Sequence, residues 1–283
     1  MIYFIQAYCN RLAGPVQATT KLLFVVLLLC ALVPVVQAQT SNCPDGVVHY
    51  FGFDERAAGT YADQVSATTA ACVTCPTPAD GLFAGAQAFQ GGKSSISISD
   101  IANFEWGPNS SFTIELWMKA SGTSSENQVF IGRDAKDTDM IWWLGMNTEG
   151  HPQFDLYDAG RSGFSLIGET VKVNDGRWHH VAVVRDGRLR LNKLYIDGFS
   201  VGSFQYDYTG NFESGSPVNI GFLELNNGFG YKGLLDELIV YNRALTEVEM
   251  RQRYNGGAGN YCGPEQIKPL IMSEPVTYSV VGQ

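Results

Sequence analysis

Basic charge is scarce in this chain. Its 283 residues hold 19 Lys and Arg against 28 Asp and Glu, a formal net charge of −9. No basic cluster with interleaved aromatics occurs, which argues against binding along nucleic acid or on an anionic membrane surface. Histidine is scarcer still, at four residues: His49, His151, His179 and His180. None falls in a His-x-x-His or Ser-His-Asp spacing, so no zinc-hydrolase or triad pattern is present. Neighbours in a strand point to opposite faces, so the pair His179-His180 cannot chelate one ion. No apolar run reaches the roughly 20 residues that span a bilayer.

The longest apolar run, Leu22 to Val33, follows Lys21 and precedes Pro34 and Val36-Gln37-Ala38. That is the layout of an export signal with a small-x-small cleavage site. Residues 1–38 are expected to be a signal peptide, the stretch before Lys21 being either an upstream start or a long leader. Its removal takes Arg11 and Lys21, leaving 17 basic residues against 28 acidic ones, or −11. The mature chain is expected to be secreted or held at the cell surface. Of six cysteines, Cys43, Cys72, Cys75 and Cys262 then remain, an even number in an oxidising compartment. The tight Cys72-Val73-Thr74-Cys75 spacing favours a local bond, which pairs Cys43 with Cys262. A zinc site would need a second ligand pair, and none is present.

What the chain does contain is short alternating runs between turn residues. In Ser111 to Lys119, Phe112, Ile114, Leu116 and Met118 fall on one face, and Glu115, Trp117 and Lys119 on the other. Further strands are expected at 47–53, 95–99, 128–133, 140–146, 152–157, 179–185, 193–196, 218–222 and 234–241. Asp186-Gly187 and Asp197-Gly198 carry the signature of tight hairpins. One helix is expected at 246–254, with Thr246 as N-cap and Glu249 completing a capping box. Many strands and a single helix indicate an all-β, two-sheet antiparallel jelly-roll sandwich with one short C-terminal helix. The domain is expected over 39–262, inside the size range of one sandwich. Residues 263–283 are expected to be a linker and the start of a truncated following module. The alternative is a tail that packs back on the domain.

Several blocks resemble the laminin G-like branch of the concanavalin A-like lectin/glucanase family. They are His49 to Glu55 with Gly59 to Asp63, Gly85 to Gly91, Ser111 to Lys119, Trp178 to Val183, Leu194 to Gly198 and Gly233 to Leu245. The resemblance covers nearly the whole mature domain. It implies the jelly roll and, most often, a module that grips carbohydrate or protein rather than cutting it.

Glycan cleavage needs two carboxylates on one face, about 5 Å apart in retaining enzymes. The Glu-x-Asp-x-x-Glu pattern of the glucanases that the chain resembles is missing, which leaves Glu115 as the one carboxylate to examine. For calcium, the resemblance points to Asp54 and Asp236 on neighbouring terminal strands, with Asp63 as a third oxygen donor. For a sugar platform, Trp117, Trp143, Tyr157 and Tyr231 are the candidate aromatics, since flat rings stack on sugar C–H faces. Trp142 and Trp143 must face opposite ways, one in the core and the other exposed or under a loop. The leading expectation is a non-catalytic recognition or adhesion module for carbohydrate or a surface protein, as part of a larger protein. A glycan-active enzyme or its accessory domain is the rival, and a structural spacer the third reading.

Overall fold

The computed structural model describes residues 45–259, apart from 67 and 227. The expected signal peptide, the Cys43–Cys262 bond and the segment 263–283 lie outside the described residues. Up to residue 100 run β1 (Val47–Phe51), β2 (Thr60–Ala62), β3 (Thr69–Ala71), β4 (Thr77–Asp80), β5 (Gly85–Gln90) and β6 (Ile96–Ile98). Next come β7 (Phe112–Ser121), β8 (Gln128–Asp134), β9 (Ile141–Met146), β10 (Pro152–Tyr157), β11 (Gly163–Ile167) and β12 (Asp175–Asp186). They are followed by β13 (Leu191–Ile196), β14 (Phe199–Gln205), β15 (Val218–Ile220), β16 (Phe222–Leu223), β17 (Phe229–Gly230) and β18 (Lys232–Tyr241). Helix α1 (Glu247–Tyr254) closes the described chain, before a short 3-10 turn at Asn255–Gly257.

Two antiparallel sheets form a sandwich. The first runs β14-β13-β12-β7-β18-β5-β4, with β1 also paired to β18. The second runs β11-β10-β9-β8-β15-β6-β3-β2, and β16–β17 form a separate hairpin. Alternation decides what lies between the sheets. Phe112, Ile114, Leu116 and Met118 of β7 meet Trp142, Leu144, Phe154 and Leu156 of β9 and β10 in one apolar core. Each such side chain contributes roughly 1.5–3 kcal/mol on burial.

The outward faces differ. On the first sheet, Ala182, Val184, Tyr195, Ile239 and Tyr241 pack with Leu245 and Met250 beneath α1. Thr246 caps that helix with the full capping box. On the second sheet, the β16–β17 hairpin leans on Val129 and Trp143 through Leu223 and Phe229.

Asp197-Gly198 forms the expected tight turn, with φ of 53° and 78°. Asp186-Gly187 does not. Its turn is longer, spanning 187–190, and the left-handed residue is Arg190 at φ 56°. Gly187 is there because a Cβ would run into the carbonyls of Asn109 and Ser110. The strands β2, β3, β4, β11 and β14 were absent from the sequence expectation. Several of them are short and rich in Ala, Gly and Ser, with little alternation to read. Cys72 and Cys75 are bonded to each other.

One buried cation organises the loops. Arg133 of β8 is 0% exposed. Its Nε donates to Ser216 O at 2.8 Å, and its Nη1 to Phe212 O at 3.4 Å. Nη2 reaches Ser214 O and, at 2.7 Å, Glu105 Oε1. Arg133→Leu strips these carbonyls of their donor and leaves Glu105 without its cation. The expected loss is about 3 kcal/mol or more in urea unfolding. A change under about 1 kcal/mol would contradict this account of the loop.

Candidate functional site

Glu115 is the carboxylate that the sequence singles out for examination. It projects from the outward face of β7 and is 1% exposed. Arg253 Nε of α1 donates to its Oε1 at 2.6 Å, and the Tyr241 hydroxyl of β18 donates to the same oxygen at 2.7 Å. His180 Nε2 of β12 lies 3.0 Å from Oε2. Burial alone would raise this carboxyl, but the Arg253 charge and the His180 and Tyr241 bonds outweigh it and hold it at about 2. It is thus a fixed anion beneath a helix, with no path to a substrate. His179 turns the other way and bridges Asp197 at 2.9 Å and Asp175 at 3.0 Å. The two histidines therefore serve separate carboxylates, as their adjacency on a strand requires.

A second group of acids forms where β1 ends beside β18. Asp236 Oδ2 accepts from the amides of Leu82 at 2.8 Å and Phe83 at 3.1 Å. Glu237 Oε2 accepts from the Tyr50 hydroxyl at 2.8 Å, and Asp54 Oδ1 from the Gly85 amide at 2.7 Å. The other oxygens, Asp236 Oδ1 and Glu237 Oε1, are buried and receive no donor. Burial pushes Asp236 well above the usual carboxylate range, and the Glu237 charge adds to it. Burial likewise takes Glu237 to about 8 against the Tyr50 bond, with Asp54 adding repulsion. Both consecutive acids are buried because the pairing of β18 with β7 shifts between Asp236 and Ile239, with Glu237 left-handed at φ 52°. A bulge of this kind re-aims side chains that a regular strand would alternate.

Hard oxygen donors with unpaired buried lone pairs suit Ca²⁺ in chemistry. Asp236 and Glu237 pass that test, and Asp54, held by the Gly85 amide, is a neighbouring carboxylate without such an oxygen. Among the described residues no group of three or more acidic, His or Cys side chains is placed to hold a metal ion. An ion held by these acids would therefore draw part of its shell from main-chain carbonyls or water. Asp63 fails the test. Its Oδ2 takes His49 Nδ1 at 2.6 Å and the Ser66 hydroxyl at 2.7 Å, while its Oδ1 takes the amides of Tyr50 and Val65, both at 3.0 Å. It organises the turn after β2 instead of adding to the acid group.

The four candidate aromatics do not converge. Tyr231 is 0% exposed, its hydroxyl donating to the carbonyls of Lys119 and Leu234. Trp117 is 3% exposed on the first sheet, stacked on Tyr254. Neither ring presents a free face to solvent in this structure. Trp142 lies in the core and Trp143 on the outward face of the second sheet, under the β16–β17 hairpin. Trp143 does share a face with Tyr157, because Asp155 pairs with Trp143 and Tyr157 with Ile141 across β9 and β10.

Around them sequence reasoning missed a polar group. Gln153 Nε2 donates to Asp155 Oδ1 at 2.8 Å, and the Trp143 and Ser165 side chains also bond Asp155. Tyr157 Oη lies 3.3 Å from Ser165 Oγ. The signal was the alternation Gln153-Asp155-Tyr157 against Phe154 and Leu156.

A family model described as the concanavalin A-like lectin/glucanases superfamily matches residues 90–251. No curated protein sequence matches the chain. Among solved structures, the binding domain of Paraclostridial Mosquitocidal Protein 1 is 18% identical with a TM-score of 0.63, covering 75% of this chain and 52% of that one. Domain 4 of AbnA, a GH43 extracellular arabinanase from Geobacillus stearothermophilus solved with arabinotriose, is 20% identical with a TM-score of 0.54, covering 73% and 97%. The receptor-binding domain of botulinum neurotoxin D is 14% identical with a TM-score of 0.58, covering 75% and 53%. At these identities the likeness is one of fold, and the chain spans about half of the two toxin domains.

Glu115→Gln keeps the shape of the side chain but removes the carboxylate charge bonded to buried Arg253. Stability is expected to drop by about 3–5 kcal/mol. The folded carboxyl is held below its unfolded value, so its contribution is present above the ordinary carboxylate range and is lost as pH falls toward 2. Urea unfolding at pH 7, 4 and 3 should show this acid loss in the wild type and a smaller one in Glu115→Gln. Equal stability of the two proteins at pH 7 would contradict the lock.

Proposed function

Since the chain belongs to the concanavalin A-like lectin/glucanase superfamily, we propose that it is a non-catalytic recognition module of an exported protein, directed at carbohydrate. The observation that carries this reading is the contrast between the outward faces. One is covered by α1 over Glu115, while the other presents half-buried Asp155 and Tyr157 on β10 and exposed Ser165 on β11. A strand face of hydrogen-bonding groups with an aromatic beside it is suited to gripping, and it lacks the facing acid pair that glycan cleavage uses. The printed names of the similar structures, two toxin binding domains and an arabinanase domain holding arabinotriose, are in keeping with a gripping role. No helix among the described residues is long and apolar enough to cross a membrane.

An accessory domain of a glycan-active enzyme is compatible with this role, since such a domain also grips. A catalytic domain is the true rival. Incubation with arabinan, xylan, mannan and β-1,3-glucan should release no new reducing ends above a heat-killed control, while at least one of them retards the protein in affinity electrophoresis. Turnover that disappears in a carboxylate variant would replace the recognition reading with an enzyme.

Structural Ca²⁺ at Asp54, Asp236 and Glu237 is the second element of the proposal, favoured by the two buried oxygens that lack donors. An ion bound only by the folded state adds about 2.7 kcal/mol at a hundredfold excess over Kd. Melting should rise by roughly 2–4 °C per kcal/mol in Ca²⁺ relative to chelator. Asp236→Asn and Glu237→Gln should remove most of that difference and Asp54→Asn part of it, while Asp63→Asn leaves it intact. Superimposable wild-type curves with and without Ca²⁺ would end the calcium proposal.

A further inference from the structure

We propose that the outward face of β9, β10 and β11, centred on Asp155 and Tyr157, is the binding site, and that its ligand is an uncharged oligosaccharide. This rests on the recognition reading and specifies its surface and ligand class. Trp142, Leu144, Phe154, Leu156, Phe164 and Leu166 of these strands point into the core. The alternate positions therefore point out, and cross-strand pairing aligns Trp143, Asp155 and Ser165 in one row. Trp143 is covered by the β16–β17 hairpin, so the open floor is β10 and β11, two strands about 4.8 Å apart.

The row is built as an acceptor surface. Asp155 is held by Gln153, Trp143 and Ser165, and burial still raises its carboxyl. A carboxylate has about four lone-pair positions, so capacity remains for hydroxyl donors. Paired sugar hydroxyls would form charge-assisted bonds there, which are stronger than neutral ones. Tyr157 supplies a half-exposed ring beside that acceptor, steadied by Ser165 Oγ at 3.3 Å and by the Arg161 guanidinium 5.8 Å from the ring centre. Trp143 packs edge-on against Phe229 at 5.7 Å, and Leu223 joins them, so the β16–β17 hairpin bounds the floor on one side. The site is thus a floor with one wall, open on its other side.

Charge and apolar area choose the ligand class. No Lys or Arg occupies an outward position of β9, β10 or β11, and Asp155 is negative in a chain already at −9. Arg161 stands beside the Tyr157 ring in the β10–β11 turn, but a uronate or sulfated sugar would meet repulsion at Asp155 itself. A protein partner of ordinary affinity needs roughly 800 Å² per side with an apolar centre. The exposed large hydrophobics, Val65, Val73, Leu189, Phe199, Phe204 and Val248, lie on other elements.

The test measures binding of arabinan, xylan, mannan and β-1,3-glucan, with polygalacturonate and heparin as anionic probes, by affinity electrophoresis and calorimetry. Asp155→Asn and Tyr157→Ala are each expected to weaken neutral-glycan binding about tenfold or more. Ser165→Arg places bulk at an exposed position of the floor and should block binding while melting like the wild type. Val248→Ser, on the helix side, should bind as the wild type does. Neutral-glycan binding that survives both Tyr157→Ala and Ser165→Arg moves the site elsewhere and leaves the recognition reading standing. Binding confined to polygalacturonate or heparin overturns the ligand class. A wild-type protein that binds none of the six defeats the carbohydrate reading itself, and the site with it.

Discussion

A single buried anion holds the architecture in its working arrangement. From β7, Glu115 takes its partners from three other elements: His180 on β12, Tyr241 on β18 and Arg253 on α1. Helix α1 has only eight residues, too short to persist alone in water. Met250 and Arg253 are its buried side chains, Tyr254 stacks on Trp117 and Glu247 pairs with Lys193, so it docks through a few specific contacts instead of a broad apolar stripe. Outside the pair, the Thr246 capping box and Arg243 bound to Glu249 at 2.6 Å fix where the helix starts. With the helix in place, the outward side of the first sheet is covered around Glu115 and Tyr241, while Gln90 and Lys232 beyond it stay exposed. The second sheet keeps its outward side for other use.

The contrast with Asp236 and Glu237 is physical as much as positional. Both groups put carboxylates in low-dielectric surroundings, where an unpaired charge is strongly unfavourable. Glu115 is compensated by a cation and two further donors and stays ionised. The β18 pair has amide and phenol donors, and the Arg253 charge that reaches Glu237 is outweighed by burial and by repulsion from Asp54. A group of that kind gains from a bound positive charge, and the glycan floor at Asp155 is the milder, half-exposed version of the same situation.

Much of the fold was legible in the chain. The alternation Phe112-Ile114-Leu116-Met118 gave the inward face of β7, the Thr246/Glu249 pair gave the helix start, and the adjacency of Trp142 and Trp143 put one ring in the core. Side-chain burial on the outward faces was not legible. Trp117 and Tyr231 read as possible sugar platforms because nothing local reveals that Tyr254 covers one and the sandwich core encloses the other. Glu237 was invisible as a partner of Asp54, since a regular strand would turn it away from Asp236 and only the register shift before Ile239 brings both inside. Asp155 went unnoticed because β11, which supplies Ser165 beside it, is a short run with a glycine at its start.

The account's central claim is that recognition occurs on the open outward face of the second sheet. The most direct measurement is an amide NMR titration of the domain with a soluble neutral oligosaccharide drawn from whichever polysaccharide it binds. Signals of residues 141–146, 153–157 and 163–167 should shift together and saturate with one affinity, while those of 247–254 stay fixed. Shifts confined to the helix side, or to the β18 acids, would contradict it.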